Sequence, residues 1–133
     1  MSYLLDTDIC IYWLKNREPF RTKVFQIGWG NIAISQITVA ELYYGAYNGR
    51  QERIEVNLER VERFIKSLKV LELNQSVLCE FGQLKSLLRK QGRVVADFDL
   101  LIASCVIAQD LTLFTNNIRH YRYIPKLKLE TTI

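Results

Sequence analysis

Several features that mark special classes of protein are scarce in these 133 residues. Two prolines and six glycines are too few for a disordered or low-complexity chain. One histidine and three cysteines without CxxC spacing favour neither a zinc site nor a disulfide framework. No run reaches the roughly 18 apolar residues of a membrane span. With 49% hydrophobic and 24% charged residues, the composition predicts one globular domain over residues 1–133, with no membrane segment.

The N-terminal segment and the cysteines both indicate a cytoplasmic protein. The first segment is apolar, but Asp6 and Asp8 interrupt it and no basic residues precede it, so we expect no signal peptide. Cys10, Cys79 and Cys105 lie in apolar-patterned segments and are expected to be reduced core residues. The net charge of +4 makes the surface mildly attractive to polyanions, as in many proteins without a nucleic-acid partner.

Short apolar strands alternate with helical patterns along the whole chain. The clearest helix spans Gln51 to Leu68, where apolar residues recur at spacings of three and four. Gly49 and Gly92 follow two further helical patterns and are typical helix stops. This alternation predicts an α/β protein with a central, mainly parallel sheet covered on both faces. The expected strands are "YLLD", "NIAIS", "KVLEL" and "LTLFT", and the other expected helices follow Asp6 or lie in "ITVAELYYGAYNG", "SVLCEFGQLKSLLRKQG" and "FDLLIASCVIAQD".

Carboxylates and amides stand near the carboxyl ends of the predicted strands. In parallel sheets these ends meet at one edge, where ligands bind. Carboxylates gathered there repel each other unless cations neutralise them. Mg²⁺ and Mn²⁺ prefer such oxygen ligands and can promote phosphodiester hydrolysis. The residues concerned are Asp6 after the first strand, Glu41 opening the helix after the second, Asp97 and Asp99 opening the late helix, and Asn116 and Asn117 after the last clear strand.

Each of these residues also has a purely structural explanation. Taken singly, those explanations suffice, but the expected convergence of sequence-distant residues at one sheet edge favours a functional site. The structural alternatives are a helix cap at Asp6 or Asp8, a capping box from Thr38 to Glu41, an N-cap at Asp97, a dipole-stabilised Asp99 in a first helical turn, and a turn at Asn116 and Asn117.

Four ordered segments resemble the PIN-domain nucleases, and within them the VapC toxins of bacterial toxin–antitoxin pairs. They are "YLLDTDICI", "ISQITVAELYYGA", "VVADFDLLIASCVIA" and "LTLFTNNIRHYRYIPKLKLE", and they span nearly the whole chain. The resemblance implies a three-layer α/β/α fold and a metal-dependent endoribonuclease. It also implies a homodimer and a VapB-like antitoxin whose tail covers the active-site groove.

The resemblance further implies roles for individual carboxylates. Asp6 matches the first metal-binding aspartate of the family, and Asp99 matches the aspartate before "LLIA". Glu41 matches the glutamate on the helix after the second strand, where it would act on the metal through water. Asp97 is an additional carboxylate that could join the metal site directly or through water.

A fourth acidic position found in many PIN domains is not matched here. Asn117 and His120 are the candidates to replace it, and Asn116 or Asn117 could orient the carboxylates or a phosphate oxygen. One Mg²⁺ or Mn²⁺ ion is therefore expected, with a second bound only when RNA phosphate supplies ligands. The expected reaction is hydrolysis by metal-activated water, which leaves 5′-phosphate and 3′-hydroxyl ends. A single histidine disfavours the paired-histidine route through the 2′-hydroxyl.

Basic residues flank the expected site in sequence and are candidates for contacts with RNA. The charges from Gln51 to Leu68 instead alternate in sign at i, i+4 spacing, which is typical of a solvated helix face. Tyrosines on the helix after the second strand fit either a dimer or antitoxin surface or a packed helix face. The basic candidates are Arg89, Lys90, Arg93, Arg119 and Arg122, and the tyrosines are Tyr43, Tyr44 and Tyr47.

Two other functions fit part of the pattern. Asp6-Thr7-Asp8 after an apolar strand resembles the DxD motif of haloacid-dehalogenase-type phosphatases, although Cys10 stands where that family has Thr or Val. A catalytically weak PIN-like module that binds RNA or a partner is the second alternative, because the fourth carboxylate is missing. Cleavage of internal RNA bonds would separate the nuclease from both.

Overall fold

A five-stranded, entirely parallel sheet forms the centre of the computed structural model, which describes residues 2–132. The strand order is β3-β2-β1-β4-β5, so the first strand lies in the middle. Tyr3 pairs with Ile32 on one side and Thr112 on the other. The predicted parallel sheet is confirmed. The strands are β1 (Tyr3–Leu5), β2 (Ile32–Ser35), β3 (Lys69–Leu71), β4 (Thr112–Phe114) and β5 (Lys128–Glu130).

Seven α-helices cover the sheet in the described part of the chain. The predicted helix from Gln51 to Leu68 is present as a short 3₁₀ turn followed by α4. Two helices, α2 and α7, and the edge strand β5 were not predicted from the sequence. The helices are α1 (Thr7–Leu14), α2 (Phe20–Ile27), α3 (Gln36–Tyr47), α4 (Ile54–Lys66), α5 (Gln75–Lys90), α6 (Asp97–Ala108) and α7 (Ile118–Tyr121). None of these helices is long and apolar enough to cross a membrane.

Side-chain alternation along β1 divides the core into two layers. Leu4 packs on one face with Leu88 of α5 and Leu100 of α6. Leu5 packs on the other face with residues of α1, α3 and α4, among them Leu42. Both β1 leucines are completely buried. The predicted three-layer α/β/α arrangement is therefore confirmed.

The end of α5 illustrates how local sequence limits a helix. Gly92 has φ +71°, a left-handed conformation that glycine adopts without strain. Its amide donates to the Arg89 carbonyl, and the Arg93 amide donates to the Leu88 carbonyl. These two bonds form a Schellman motif, so the predicted helix stop at Gly92 is confirmed.

The expectation of three buried cysteines is wrong for one of them. Cys10 and Cys105 are buried, whereas Cys79 is exposed, and all three are free. The buried stripe of α5 runs through Val77, Leu84 and Leu88. Cys79 lies off that stripe because helical periodicity points it in another direction.

We expect Leu5→Ala to lower the free energy of unfolding by about 2–5 kcal/mol, because the removed atoms leave a cavity beneath the central strand. Urea unfolding followed by circular dichroism would measure the change. Leu78→Ala is the matched control, since Leu78 of α5 is 50% exposed. A loss at Leu5 no larger than that at Leu78 would contradict the assigned core.

Candidate active site

Asp6 is the most buried carboxylate of the site, with 4% of its surface exposed. It follows β1 and caps α1, and its Oδ1 accepts hydrogen bonds from the Thr7 amide at 2.9 Å and the Tyr121 hydroxyl at 3.1 Å. Its Oδ2 accepts a bond from the Thr115 hydroxyl at 2.7 Å. Thr115 reaches Asp6 because it follows β4, the strand that pairs with β1. The Asp6 side chain thus both caps a helix and forms the centre of a cluster of polar side chains.

Asp99 joins the same cluster of polar side chains from the first turn of α6. Its Oδ1 accepts a hydrogen bond from the Tyr121 hydroxyl at 3.3 Å, so one phenol contacts both Asp6 and Asp99. Its Oδ2 lies 3.1 Å from Nδ1 of His120. The structure therefore brings together Asp6 and Asp99, as the sequence predicted, and adds Tyr121, which the sequence analysis missed.

Asp8 is a second residue whose place in the site was missed. Its Oδ1 accepts a hydrogen bond from the Ile9 amide and its Oδ2 one from the Asn116 amide, at 2.7 and 2.9 Å. Sequence reasoning assigned Asp8 a possible capping role and a place in the phosphatase-like DxD pattern, but no place among the metal-site residues. The signal that could have found it is the pairing of β1 with β4, which sets the residues after both strands side by side.

Glu41 contacts the site through Thr7, whose hydroxyl donates to Glu41 Oε1 at 2.6 Å. The sequence analysis expected Glu41 to open the helix after β2. In the structure it lies in the second turn of α3 instead. The predicted capping box from Thr38 to Glu41 is also wrong. Ser35 at the end of β2 is the N-cap, and its hydroxyl accepts a bond from the Thr38 amide. The helix therefore begins three residues earlier than a cap at Thr38 would place it.

Asp97 is separated from the other carboxylates. Its Oδ1 pairs with Nζ of Lys85 at 2.8 Å, and its side chain is 58% exposed. Residues two apart on a helix point in different directions, so Asp97 and Asp99 do not share partners. Asp97 is also not the predicted N-cap, because Ala96 occupies that position without a side-chain bond.

The asparagines after β4 contribute backbone groups to the site. The Asn116 amide donates to Asp8, and the Asn117 amide donates to the Thr115 hydroxyl. Both asparagines line a cavity of about 350 Å³ together with Arg119 and His120. The two residues therefore border a space that could admit part of a ligand.

The predicted RNA-contacting residues fall into separate groups. Arg89 and Arg93 line one cavity of about 450 Å³, whereas Lys90 lines a different one on the other side of α5. The guanidinium carbon of Arg93 lies 3.8 Å from the centre of the Tyr123 ring, and that of Arg122 lies 4.9 Å from it.

Burial dominates the electrostatics of the carboxylates. It raises the pKa of Asp6 to about 7, the charge of Asp8 adds to the rise, and bonds from Thr115, Thr7 and Tyr121 oppose it. Burial also raises the pKa of Asp8, with a smaller contribution from the charge of Asp99. Burial and the neighbouring carboxylates raise the pKa of Tyr121, so its hydroxyl stays a donor. Within residues 2–132, no lysine or arginine pairs with these three aspartates.

The donor set fits a hard divalent cation. Asp6 Oδ1 accepts two hydrogen bonds and Oδ2 only one, so Oδ2 keeps acceptor capacity. No group of three or more His, Cys, Asp or Glu side chains in the described chain forms a ready-made metal cage. Mg²⁺ needs no such cage, because it is commonly held by one or two carboxylates and keeps several waters. Asp6 and Asp99 provide such a pair.

We expect Asp6→Asn to raise the unfolding temperature of the metal-free protein by about 5 °C or more near pH 8. The pKa of Asp6 rises from 3.8 to about 7 on folding, so stability is greatest below the lower value and is lost as the pH climbs through the higher one. The asparagine gain should therefore shrink towards about pH 4. Thermal unfolding with a chelator would measure it.

Asp110→Asn is the matched control, because Asp110 is 88% exposed and pairs with Lys128 at the surface. Its unfolding temperature should change by less than about 2 °C. Equal effects of the two substitutions, or a lower unfolding temperature for Asp6→Asn, would contradict the destabilising charge at Asp6.

Comparison with known proteins places this geometry in a family. A PIN-domain family model matches residues 3–124. The chain is 36% identical to "Ribonuclease VapC2" of Rickettsia felis, over 98% of this chain and 97% of that protein. It is 33% identical to the "tRNA(fMet)-specific endonuclease VapC" of Shigella flexneri, again over 98% and 97%. A solved structure of DNA-bound VapBC from Salmonella typhimurium matches with TM-score 0.91 and 34% identity, over 98% of both chains.

The match over residues 3–124 accounts for the Asp6-Thr7-Asp8 segment as part of a PIN domain. The phosphatase alternative is therefore wrong, since its DxD motif belongs to a different family. The identity and coverage of the relatives narrow the assignment further. The chain belongs to the PIN-domain family and, within it, to the VapC proteins.

Proposed function

We propose that this protein is an endoribonuclease toxin of the VapC type that hydrolyses RNA with a Mg²⁺ or Mn²⁺ ion held by Asp6 and Asp99. The observation that carries the proposal is the buried carboxylate of Asp6, which shares the Tyr121 hydroxyl with Asp99 and has no basic partner among residues 2–132. The printed names of the relatives, "Ribonuclease VapC2" among them, support the same activity.

A divalent cation bound at these carboxylates would activate water and stabilise charge on the scissile phosphate. The residues of the chain prepare the place for it. Thr115 orients Asp6, and Thr7 connects the first helix to Glu41. Glu41 is then positioned to hold water near the cation. Position 117, a candidate for the family's fourth acidic residue, is an asparagine. Asp8 supplies additional negative charge beside Asp6.

The RNA would approach across the cavity lined by Asn117 and Arg119. Arginines also surround the exposed ring of Tyr123, and an aromatic face with guanidinium groups is suited to unstacked bases and phosphates. We include Arg89, Arg93 and Arg122 in this contact surface. A relative of Shigella flexneri is named for action on tRNA(fMet), so initiator transfer RNA is the first substrate to test.

The partners follow from the same family. Structural relatives include VapBC complexes from Salmonella typhimurium and Rickettsia felis, which supports a VapB-like antitoxin for this chain. A cavity of about 300 Å³, lined by Glu41 and Arg60 as well as by apolar residues such as Leu14, offers a place for part of the antitoxin. Tyr44 and Tyr47 are exposed on α3, which favours the dimer or antitoxin surface over a packed helix face.

We further propose that residues 1–133 act as one domain, as a homodimer, in the cytoplasm.

We expect Asp6→Asn and Asp99→Asn each to reduce RNA cleavage by about hundredfold or more, because each removes a charge from the cation site. The measurement is the initial rate of cleavage of purified initiator transfer RNA with Mg²⁺ or Mn²⁺. End mapping should find 5′-phosphate and 3′-hydroxyl termini. Removal of the metal with a chelator should abolish cleavage in the unmodified protein.

Asp110→Asn tests whether loss of any aspartate has this effect, and its rate should stay within about twofold of the unmodified protein. RNA binding without cleavage, unchanged by metal and by both site variants, would instead support the alternative of a PIN-like binding module. Cleavage that leaves 2′,3′-cyclic ends would contradict the hydrolytic mechanism.

A further inference from the structure

Tyr121 is a core residue whose hydroxyl lies among carboxylates. The side chain is completely buried and packs in the same core layer as Leu100 and Leu113. A ring that served packing alone would need no hydroxyl, because a buried polar group is unfavourable unless it is hydrogen-bonded. Within residues 2–132 its hydrogen-bond partners are Asp6 and Asp99.

Backbone hydrogen bonds in and after α7 hold the segment that carries Tyr121. The Arg122 amide donates to the Ile118 carbonyl, and the Ile124 amide donates to the Tyr121 carbonyl. Ile124 is itself 5% exposed. These bonds fix the backbone around Tyr121, and the complete burial of its side chain limits the movement of the phenol oxygen.

Asp6 and Asp99 come from different segments of the chain, and charge repulsion acts to separate their carboxylates. Asp6 follows β1 and Asp99 lies on α6, and two partly buried anions repel each other. The phenol oxygen lies 3.1 Å from Asp6 Oδ1 and 3.3 Å from Asp99 Oδ1. A neutral donor at that point opposes the separation without cancelling the negative charge that attracts a cation.

We infer that the Tyr121 hydroxyl is a positioning group that holds Asp6 and Asp99 at the separation needed to bind the divalent cation. The inference rests on the proposed function, because it concerns the same cation. Tyr121 acts through the two aspartates and contacts no substrate. Groups that orient metal ligands in this way typically contribute about 10–100-fold to metal affinity or activity.

The test compares Mn²⁺ binding by chelator-treated unmodified protein, Tyr121→Phe and Tyr123→Phe, measured by titration calorimetry. Phe at 121 retains the buried ring and removes one oxygen, so the fold should persist, and thermal unfolding with a chelator checks this. Tyr123→Phe is the matched control, since it removes a hydroxyl from a ring that is 49% exposed two residues away. It also keeps the ring beside Arg93 and Arg122.

We expect Tyr121→Phe to weaken Mn²⁺ binding about tenfold or more and Tyr123→Phe to change it less than about twofold. The Mn²⁺ concentration for half-maximal RNA cleavage should rise by a similar factor in Tyr121→Phe. A merely structural role would lower the saturated rate and leave the half-maximal concentration unchanged.

A second measurement needs no variant. The carbon-13 resonance of the Tyr121 phenol carbon in the unmodified protein should shift when Mg²⁺ is added, because its hydrogen-bond partners bind the ion. An unshifted resonance under saturating Mg²⁺ would overturn the inference.

The outcomes separate the two proposals. Equal Mn²⁺ affinities of the unmodified protein and Tyr121→Phe, with cleavage still lost in Asp6→Asn, would overturn the role of Tyr121 and leave the nuclease standing. Absence of Mn²⁺ binding and of RNA cleavage in the unmodified protein would overturn both.

Discussion

The burial of the Asp6 carboxylate at the end of the central strand is the constraint on which the site depends. Pairing of β1 with β4 brings Thr115 next to it, and the packing of α7 brings Tyr121. Burial makes its charge unfavourable, as the raised pKa of Asp6 indicates, so the fold must supply compensating stability elsewhere. The two leucines before Asp6, each buried on its own face of the sheet, anchor the strand that carries it.

A parallel sheet explains how residues from distant segments reach Asp6. Each strand ends at the same edge, so the segments after β1 and β4 meet there without long loops. Asp8 and Asn116 make that meeting direct, through a side-chain oxygen and a backbone amide. The hydrogen bond from the Asn116 amide also holds the loop after β4, and the next residue of that loop, Asn117, lines the adjoining cavity. The topology thus determines which residues share the site.

Much of this arrangement could be predicted from the sequence, and the remainder has physical reasons for being missed. Hydrophobic periodicity predicted the sheet and most helices, a strand end pointed to Asp6, and a helix start together with the family resemblance pointed to Asp99. Tyr121 was missed because its ring follows a core pattern, and a core pattern does not reveal what a hydroxyl contacts.

Two further misses have equally local causes. Asp97 and Asp99 look equivalent in the sequence. Because they are two residues apart on a helix, their side chains point in different directions, and Asp97 pairs with Lys85. Glu41 was placed at a helix start because Thr38 matched a cap, whereas Ser35 caps the helix three residues earlier by accepting from the Thr38 amide. The direction of a side chain around the helix decided the first case, and an earlier N-cap decided the second. The donors of the site also share a property that local patterns do not express: Thr7, Thr115 and Tyr121 are neutral, so they satisfy carboxylate oxygens and leave the negative charge in place to attract a divalent ion.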